Sequence, residues 1–321
     1  MNIGIIGSGF IVDVFCKNAK SKKDFNLYAI WGRHEEKIKK FDCFEKYYID
    51  INEFYDDKKI DVVYIALPNA LHYEYALNAL KAGKHVLLEK PFCVTTKQAK
   101  TLIEYAKKHN LFLYETIMTL HSPNYLKIKK YIDSIGDIKM IDINFSQYSR
   151  RYDKFKSGTT LPAFDYKLAG GALMDLGVYS IHFVCGLFGK PKSVCYQPNI
   201  IKKVDTSGVL VMDYGTFKAN LVSAKDCSSP AYALIQGDKG YIRLNSTTSR
   251  CSSFDVIYND GNKKSFASKE GEFVGWHNLY NDFIKIYKKK DYKTCYKLLK
   301  NTMVVQKVLE DSISSAKLEY K

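Results

Sequence analysis

The chain has 321 residues, 46% of them hydrophobic and 26% charged, which is ordinary globular composition with room for two domains. Its net charge of +15 is carried almost entirely by lysine, since arginine stands only at 33, 150, 151, 243 and 250; the forked contacts of nucleic-acid readers are not provided for, and no nucleic-acid partner is expected. No run reads as a membrane helix, the first residues enter a strand with no secretory leader, and the eight cysteines fall in no metal-ligand or C-x-x-C pattern, so the expectation is a cytoplasmic chain with reduced thiols, no membrane partner and no metal.

In the first third, strands and helices alternate. Residues 2–6 are apolar and β-branched and predict a strand, 11–20 a helix, 27–31 a strand, 35–41 a charged helix, 47–49 a short strand and 51–55 a short helix. The run 61–66 lacks alternation, as a strand buried on both faces does. Pro68 stops it, and residues 70–82 predict a helix with Leu71, Tyr75 and Ala79 on one stripe and Ala76 and Leu80 beside it, closed by Gly83. A strand at 85–88, a helix at 95–109 and a strand at 111–114 complete the repeat, which predicts a doubly wound parallel sheet. After a helix at 124–134 the pattern changes. Strands at 139–148, 192–201, 207–214, 217–225, 232–236, 240–244 and 254–259 follow with one helical interruption near 170–187, and helices at 276–289 and 293–315 close the chain. Successive strands without intervening helices predict an α+β domain with an open, mainly antiparallel sheet. The expected domains are 1–121, binding a dinucleotide, and 122–321, binding substrate and forming oligomers, with the C-terminal helices able to pack back on the first.

The glycine-rich element Gly7-Ser8-Gly9-Phe10-Ile11-Val12 lies between the first strand and first helix. Glycine there permits a tight turn and close approach of a pyrophosphate to free helix N–H groups. Val12 takes the place of a third glycine, an expected loosening of helix against strand. The second strand ends Trp31-Gly32-Arg33-His34, with no acid to hold a ribose 2′-hydroxyl. Arg33 can pair with a 2′-phosphate, so NADP(H) is favoured and NAD(H) is the alternative cofactor.

Two further elements carry a resemblance: Asp61-Val62-Val63-Tyr64-Ile65-Ala66-Leu67-Pro68-Asn69-Ala70-Leu71-His72 running on to Glu89-Lys90-Pro91, and Gly170-Gly171-Ala172-Leu173-Met174-Asp175-Leu176-Gly177-Val178-Tyr179. Together they resemble the Gfo/Idh/MocA family of oxidoreductases over nearly the whole chain. The resemblance implies a Rossmann domain followed by an open-sheet domain used for assembly, hence a homodimer or homotetramer through that sheet. It implies that Lys90 contacts nicotinamide ribose and the substrate hydroxyl, with Glu89 beside it. Tyr179, four residues after Asp175, is the tyrosine form found in glucose–fructose oxidoreductase and the dimeric dihydrodiol dehydrogenases. Leu67, Pro68, Asn69 and His72 begin the helix that faces nicotinamide in relatives; for His72 a structural cap is the equal alternative. The family's Glu-Ala-x-x-x-Arg is here Glu115-Thr116-Ile117-Met118-Thr119-Leu120-His121, without the arginine.

The chemistry agrees with these roles. Hydride transfer at a carbinol carbon needs a group to move the hydroxyl proton and donors where oxyanion charge develops. Lys90 can polarise the oxygen and lower the tyrosine pKa, Tyr179 can relay the proton, and Asp175 lies at i, i+4 from it on one helix face. His182, Arg151 and Tyr148 are expected to line the substrate pocket. The expected function is an NADP-preferring dehydrogenase or reductase acting on a secondary alcohol, or the matching carbonyl, of a sugar, polyol or dihydrodiol; the alternative is a non-enzymatic NAD(P)-sensing regulator on the same scaffold.

Overall fold

The computed structural model describes residues 1–268 and 274–320. The range expected for the second domain, 122–321, includes 269–273 and 321, which lie outside the described residues. Two compact units form: Met1–Thr116 with Tyr280–Lys300, and Ile117–Leu279 with Asn301–Lys321.

The first unit is built on β1 (Asn2–Ile6), β2 (Asn26–Trp31), β3 (Lys46–Tyr48), β4 (Val62–Ile65), β5 (His85–Leu88) and β6 (Leu113–Glu115), with helices α1 (Phe10–Ala19), α2 (Glu35–Ile38), α3 (Ile51–Asp56), α4 (His72–Lys81) and α5 (Thr96–Lys108) between them. The sheet order is β3-β2-β1-β4-β5-β6, and every pair is parallel. The order reverses between β1 and β4, which opens a crevice past the carboxyl ends of those strands. Ile3, Ile5, Val62, Val63, Tyr64, Ile65, Val86, Leu87 and Leu88 are fully buried, which explains their unalternating sequence. The helices start where side chains satisfy their free N–H groups: Asp50 accepts from the Asn52 amide, and Thr95 and Gln98 form a reciprocal capping box. α4 departs from the expected stripe. Its buried residues are His72, Ala76, Ala79 and Leu80, while Leu71 and Tyr75 are half-buried. A 3₁₀ turn over Asn69–Leu71 precedes the helix, and its tighter winding turns the stripe by about one residue.

The second unit holds β7 (Ile138–Ser146), β8 (Ser193–Ile201), β9 (Val204–Asp213), β10 (Lys218–Ala224), β11 (Tyr232–Gly237), β12 (Gly240–Leu244), β13 (Ser253–Tyr258) and β14 (Lys263–Ala267), with helices α6 (Pro123–Tyr131), α7 (Tyr152–Lys156) and α8 (Val178–Phe188). Helices α9 (Val274–Lys288) and α10 (Tyr292–Ser315) are divided between the two units. The strand order is β14-β13-β12-β11-β7-β10-β9-β8. All neighbours are antiparallel except β7 and β10, because β7, first in sequence, inserts between β10 and β11. One face is core, with Ile141, Ile143, Phe145, Leu210, Met212, Leu221, Ile235, Ile242 and Val256 buried; Met140, Val211 and Tyr241 alternate with them on the other face and are exposed.

The sequence reading misses β14, whose lysine-rich residues are mostly exposed, as suits an edge strand. It also misses α7, read as a loop: its Tyr152 and Phe155, three apart, pack with Phe164 and Val204 into a small buried cluster. The statement that no stretch is apolar enough to span a membrane needs correction too. Tyr166–Phe188 passes on length and composition, but 72% of its most apolar window is buried inside the protein, as in a core helix.

That helical run has a specific anchor. It opens as a π-helix over Leu173–Gly177 and continues as α8. Asp205 on β9 has no exposed surface; its Oδ2 accepts from the Leu173 amide (2.8 Å) and the Tyr196 hydroxyl (2.8 Å), and its Oδ1 from the Tyr320 hydroxyl (3.3 Å). Gly171, at φ +141°, lies against this carboxylate so closely that a Cβ would collide with it. Burial pushes the Asp205 carboxyl up to about 6, against the pull of those donors and of Lys225. A folded pKa above the unfolded value of about 3.9 means that Asp205 favours the folded state fully below pH ~4 and that this contribution is lost as pH rises to ~6. Asp205→Asn keeps the shape and cannot ionise. Its unfolding free energy relative to the parent is therefore expected to rise by on the order of 2–3 kcal/mol between pH 4 and 7; urea unfolding across that range checks it, and a constant difference would refute the reading.

Candidate active site

In the first unit, the polypeptide leaves β1 through Gly7 at φ +132°, where a Cβ would come within 2.5 Å of the Ala66 carbonyl. Only glycine lets the β1 and β4 ends approach this closely. Gly9 is the N-cap of α1 and provides no side-chain cap, and the space where its Cβ would project is open. A helix start with open space before it suits an anion. Ser8 is half-buried and Phe10 exposed at this mouth, and Ile11 is half-buried behind them. The expected loosening at Val12 does not arise: Val12 has no exposed surface and fills the place a glycine would leave.

Gly32 brings the end of β2 beside the same loop, its missing Cβ 3.9 Å from the Ser8 Cβ. Arg33 follows, exposed. Burial and Glu74 raise the Tyr75 hydroxyl pKa while the Arg33 charge opposes them, so Arg33 lies near Tyr75, which in turn packs on Trp31 at 5.5 Å between ring centroids. The acids that follow are engaged elsewhere: Glu35 pairs with Lys39 at 2.6 Å and Glu36 with His34 at 3.8 Å. Tyr75 was not legible as part of this end of the crevice.

Past β4 and β5, the structure sorts the expected residues into two kinds. His72 is fully buried, its Nδ1 2.8 Å from the Pro91 carbonyl oxygen and its Nε2 2.9 Å from that of Leu67. Burial lowers its pKa, against the pull of the two carbonyls. Of the two alternatives, the geometry gives His72 the structural one: it ties the loop after β4 to the loop after β5. Glu89 also points inward. Its Oε1 accepts from the Tyr64 hydroxyl (2.6 Å) and the Thr116 hydroxyl (2.7 Å), and burial raises its pKa. Leu67, Pro68, Asn69 and Lys90, by contrast, are half-buried at the carboxyl ends of β4 and β5. Glu89 and His72 thus fix the backbone on either side of Lys90 from within.

In the second unit, Asp175 lies in the π-helical turn and Tyr179 in the first turn of α8. Asp175 is 38% exposed and its Oδ2 is paired at 2.8 Å with the ammonium of Lys225, a buried residue just past β10. Tyr179 is 8% exposed and packs on Phe145 at 6.0 Å. The other candidates differ in exposure. His182 has no exposed area, and its Nδ1 accepts from the Asn301 amide at 3.2 Å. Tyr148 is exposed and donates to Asp153 at 2.7 Å, with Lys156 donating to its hydroxyl at 3.4 Å; Arg151, also exposed, precedes α7. These two belong to the α7 segment. Lys225 and Asp205 are the participants the sequence does not reveal, since a lysine or aspartate at a strand end reads as solvated.

Residues 1–116 match the profile of the GFO_IDH_MocA oxidoreductase family, described as an NAD-binding Rossmann fold, and residues 125–243 match a GFO/IDH/MocA C-terminal domain. The chain is 33% identical over 316 residues to scyllo-inositol 2-dehydrogenase (NADP(+)) IolU of Bacillus subtilis, covering 97% of this chain and 96% of that one. It is 32% identical over 230 residues to trans-1,2-dihydrobenzene-1,2-diol dehydrogenase of Xenopus tropicalis, covering 69% and 67%. In fold it is similar to KijD10, a 3-ketoreductase from Actinomadura kijaniata solved with NADP and TDP-benzene, with a TM-score of 0.84 at 20% identity over 98% and 97% of the two chains. With the Rossmann sheet, the glycine cradle and the open-sheet unit in place, this chain is an oxidoreductase of the Gfo/Idh/MocA family.

Proposed function

We propose that the enzyme transfers a hydride between NADP(H) and a secondary alcohol, or the matching carbonyl, of a sugar, polyol or dihydrodiol. The observation that carries this reading is Lys90, set at the carboxyl end of β5 and braced from behind by Glu89 and His72, in the sheet whose glycine cradle fits a dinucleotide. The similarity to an NADP(+)-dependent inositol dehydrogenase along the whole chain supports both the cofactor and a polyhydroxylated substrate. Gly7, Ser8, Gly9 and the first turn of α1, Phe10 and Ile11, would hold the pyrophosphate, Arg33 the 2′-phosphate, and Leu67, Pro68 and Asn69 the nicotinamide side. When bound, the cofactor supplies or accepts the hydride. Lys90 donates to the substrate oxygen as charge develops on it, Tyr179 moves the hydroxyl proton, and Asp175 accepts from a substrate hydroxyl.

The eight cysteines are all free, which suits a reducing compartment and a cytoplasmic enzyme. Met140, Val211 and Tyr241 on the outer sheet face support a homodimer or homotetramer formed through that sheet. Sedimentation equilibrium should give a multiple of the chain mass that Val211→Lys reduces; a monomeric parent would overturn the assignment.

Turnover should appear with NADP⁺ in a panel of inositols, aldoses and dihydrodiols, followed by absorbance of the reduced cofactor. Lys90→Met should lower kcat by at least about 10²-fold while NADPH affinity changes little; an active Lys90→Met enzyme would remove Lys90 from the chemistry, and a parent inactive on every substrate would return the regulatory reading. Arg33→Ala should weaken NADPH binding by roughly 10- to 100-fold, the loss of one charge-assisted pair, and leave NADH binding unchanged. Fluorescence titration of both cofactors measures this, and equal losses for the two would refute the 2′-phosphate role.

A further inference from the structure

Lys225 follows β10, and its side chain is 3% exposed. A buried ammonium is tolerated only with partners, and this one has them on several sides. It donates to the Ala163 carbonyl at 2.8 Å, pairs with Asp175 Oδ2 at 2.8 Å and sits 4.4 Å from the Phe164 ring centroid. Its backbone is clamped as well, donating to the Thr206 carbonyl (2.8 Å) and accepting from the Ser149 amide (2.9 Å). Nothing on this side of the pair can turn away. Asp175 is different: over a third of its side chain reaches the surface. An ion pair with one partner buried and immobile and the other reaching solvent orients the exposed partner.

We propose that Lys225 is a positioning residue for the reaction: it keeps Asp175 ionised and in one orientation, so that Asp175 serves as a hydrogen-bond acceptor for a substrate hydroxyl and is never the proton donor. The proposal rests on the function proposed above. It divides the labour on α8 and its π-helical start: Asp175 orients, and Tyr179 carries the proton. Other titratable groups surround the pair. Asp205 on β9 feels the Lys225 charge and is bonded in turn by Tyr196 of β8 and by Tyr320. Asp226, next to Lys225, accepts from the Thr206 and Ser207 hydroxyls. Asp153 and Lys156 of α7 are paired with each other. Lys225 forms an ion pair with Asp175 at 2.8 Å.

The test uses the full-length enzyme and four variants: Lys225→Met, Lys225→Arg, Asp175→Asn and the double Lys225→Met/Asp175→Asn. With Lys225→Met, kcat/KM should fall by about 10- to 100-fold, the acidic limb of its pH profile should move up by about one unit or more, and Lys225→Arg should recover part of the loss. Asp175 should titrate higher in Lys225→Met by carboxyl carbon NMR, its signal identified by its absence in Asp175→Asn. The double variant buries no unpaired charge and decides the matter if Lys225→Met does not fold. Its kcat/KM should lie within about threefold of Asp175→Asn alone, because Lys225 acts through Asp175. A further tenfold loss in the double variant, or an unmoved Asp175 titration in a folded Lys225→Met, would overturn the proposal. The NMR titration needs no turnover, so a parent enzyme inactive on the substrate panel would count against the proposed function and leave the ion pair separately judged.

Discussion

A carboxylate without access to water anchors the helix that carries Asp175 and Tyr179. Asp205 accepts the Leu173 amide, one of the N–H groups that a helix start leaves without an internal partner, and does so from a neighbouring strand where a cap would ordinarily come from the preceding residue. Much of the local sequence answers to that arrangement. Gly171 has to lack a Cβ because the carboxylate occupies its place, and Gly170 has to lack one because the Pro162 carbonyl lies 2.5 Å from where it would be. Tyr196 and Tyr320 supply hydroxyls from two separate parts of the chain. The double glycine reads in sequence as a flexible turn, yet it is a place of close packing around a charge.

The first unit solves a similar problem in a similar way. Glu89 is buried, is raised in pKa by that burial, and accepts hydrogen bonds from the Tyr64 and Thr116 hydroxyls. It directly precedes Lys90, as Asp205 stands behind Lys225. Burying an ionisable group costs more than an apolar residue of the same size would, so these carboxyls are poor candidates for stabilising the fold. What they provide is direction: each fixes backbone that presents a residue of the site. His72 does the same, its ring lying between two carbonyls from different loops.

This explains which parts of the molecule were legible. The Rossmann sheet could be read because β4 and β5 are buried on both faces and announce it with unbroken apolar runs. The glycine loop, Lys90 and the Asp175–Tyr179 spacing could be read because they are short-range patterns. Partners supplied by distant strands could not: nothing near residue 175 points to residue 225, and nothing near 171 to 205. The stripe on α4 was misjudged because a 3₁₀ turn changed its phase, a detail beneath the resolution of periodicity. The insertion of β7 between β10 and β11, which produces the parallel pair, is a matter of tertiary pairing that strand propensity does not encode.

The lysine excess shows the same limit from another side. A net charge of +15 describes a solvated surface and says little about chemistry. Three lysines are nevertheless buried among the described residues: Lys22, Lys84 and Lys225. Lys22 donates to the Asn281 side-chain oxygen and Lys84 to the Asp57 carbonyl, both neutral acceptors, and burial lowers the pKa of each. Such contacts tie segments together and need no charge to do so. Lys225 is in an ion pair, and its carboxylate partner reaches the surface in the motif that also holds Tyr179. The distinction is electrostatic: a neutral acceptor gains little direction from a cation behind it, whereas an exposed carboxylate is both held ionised and held in place. The setting of a buried lysine is therefore recognised here by what it faces, and composition, which counts it with more than forty others, hides it.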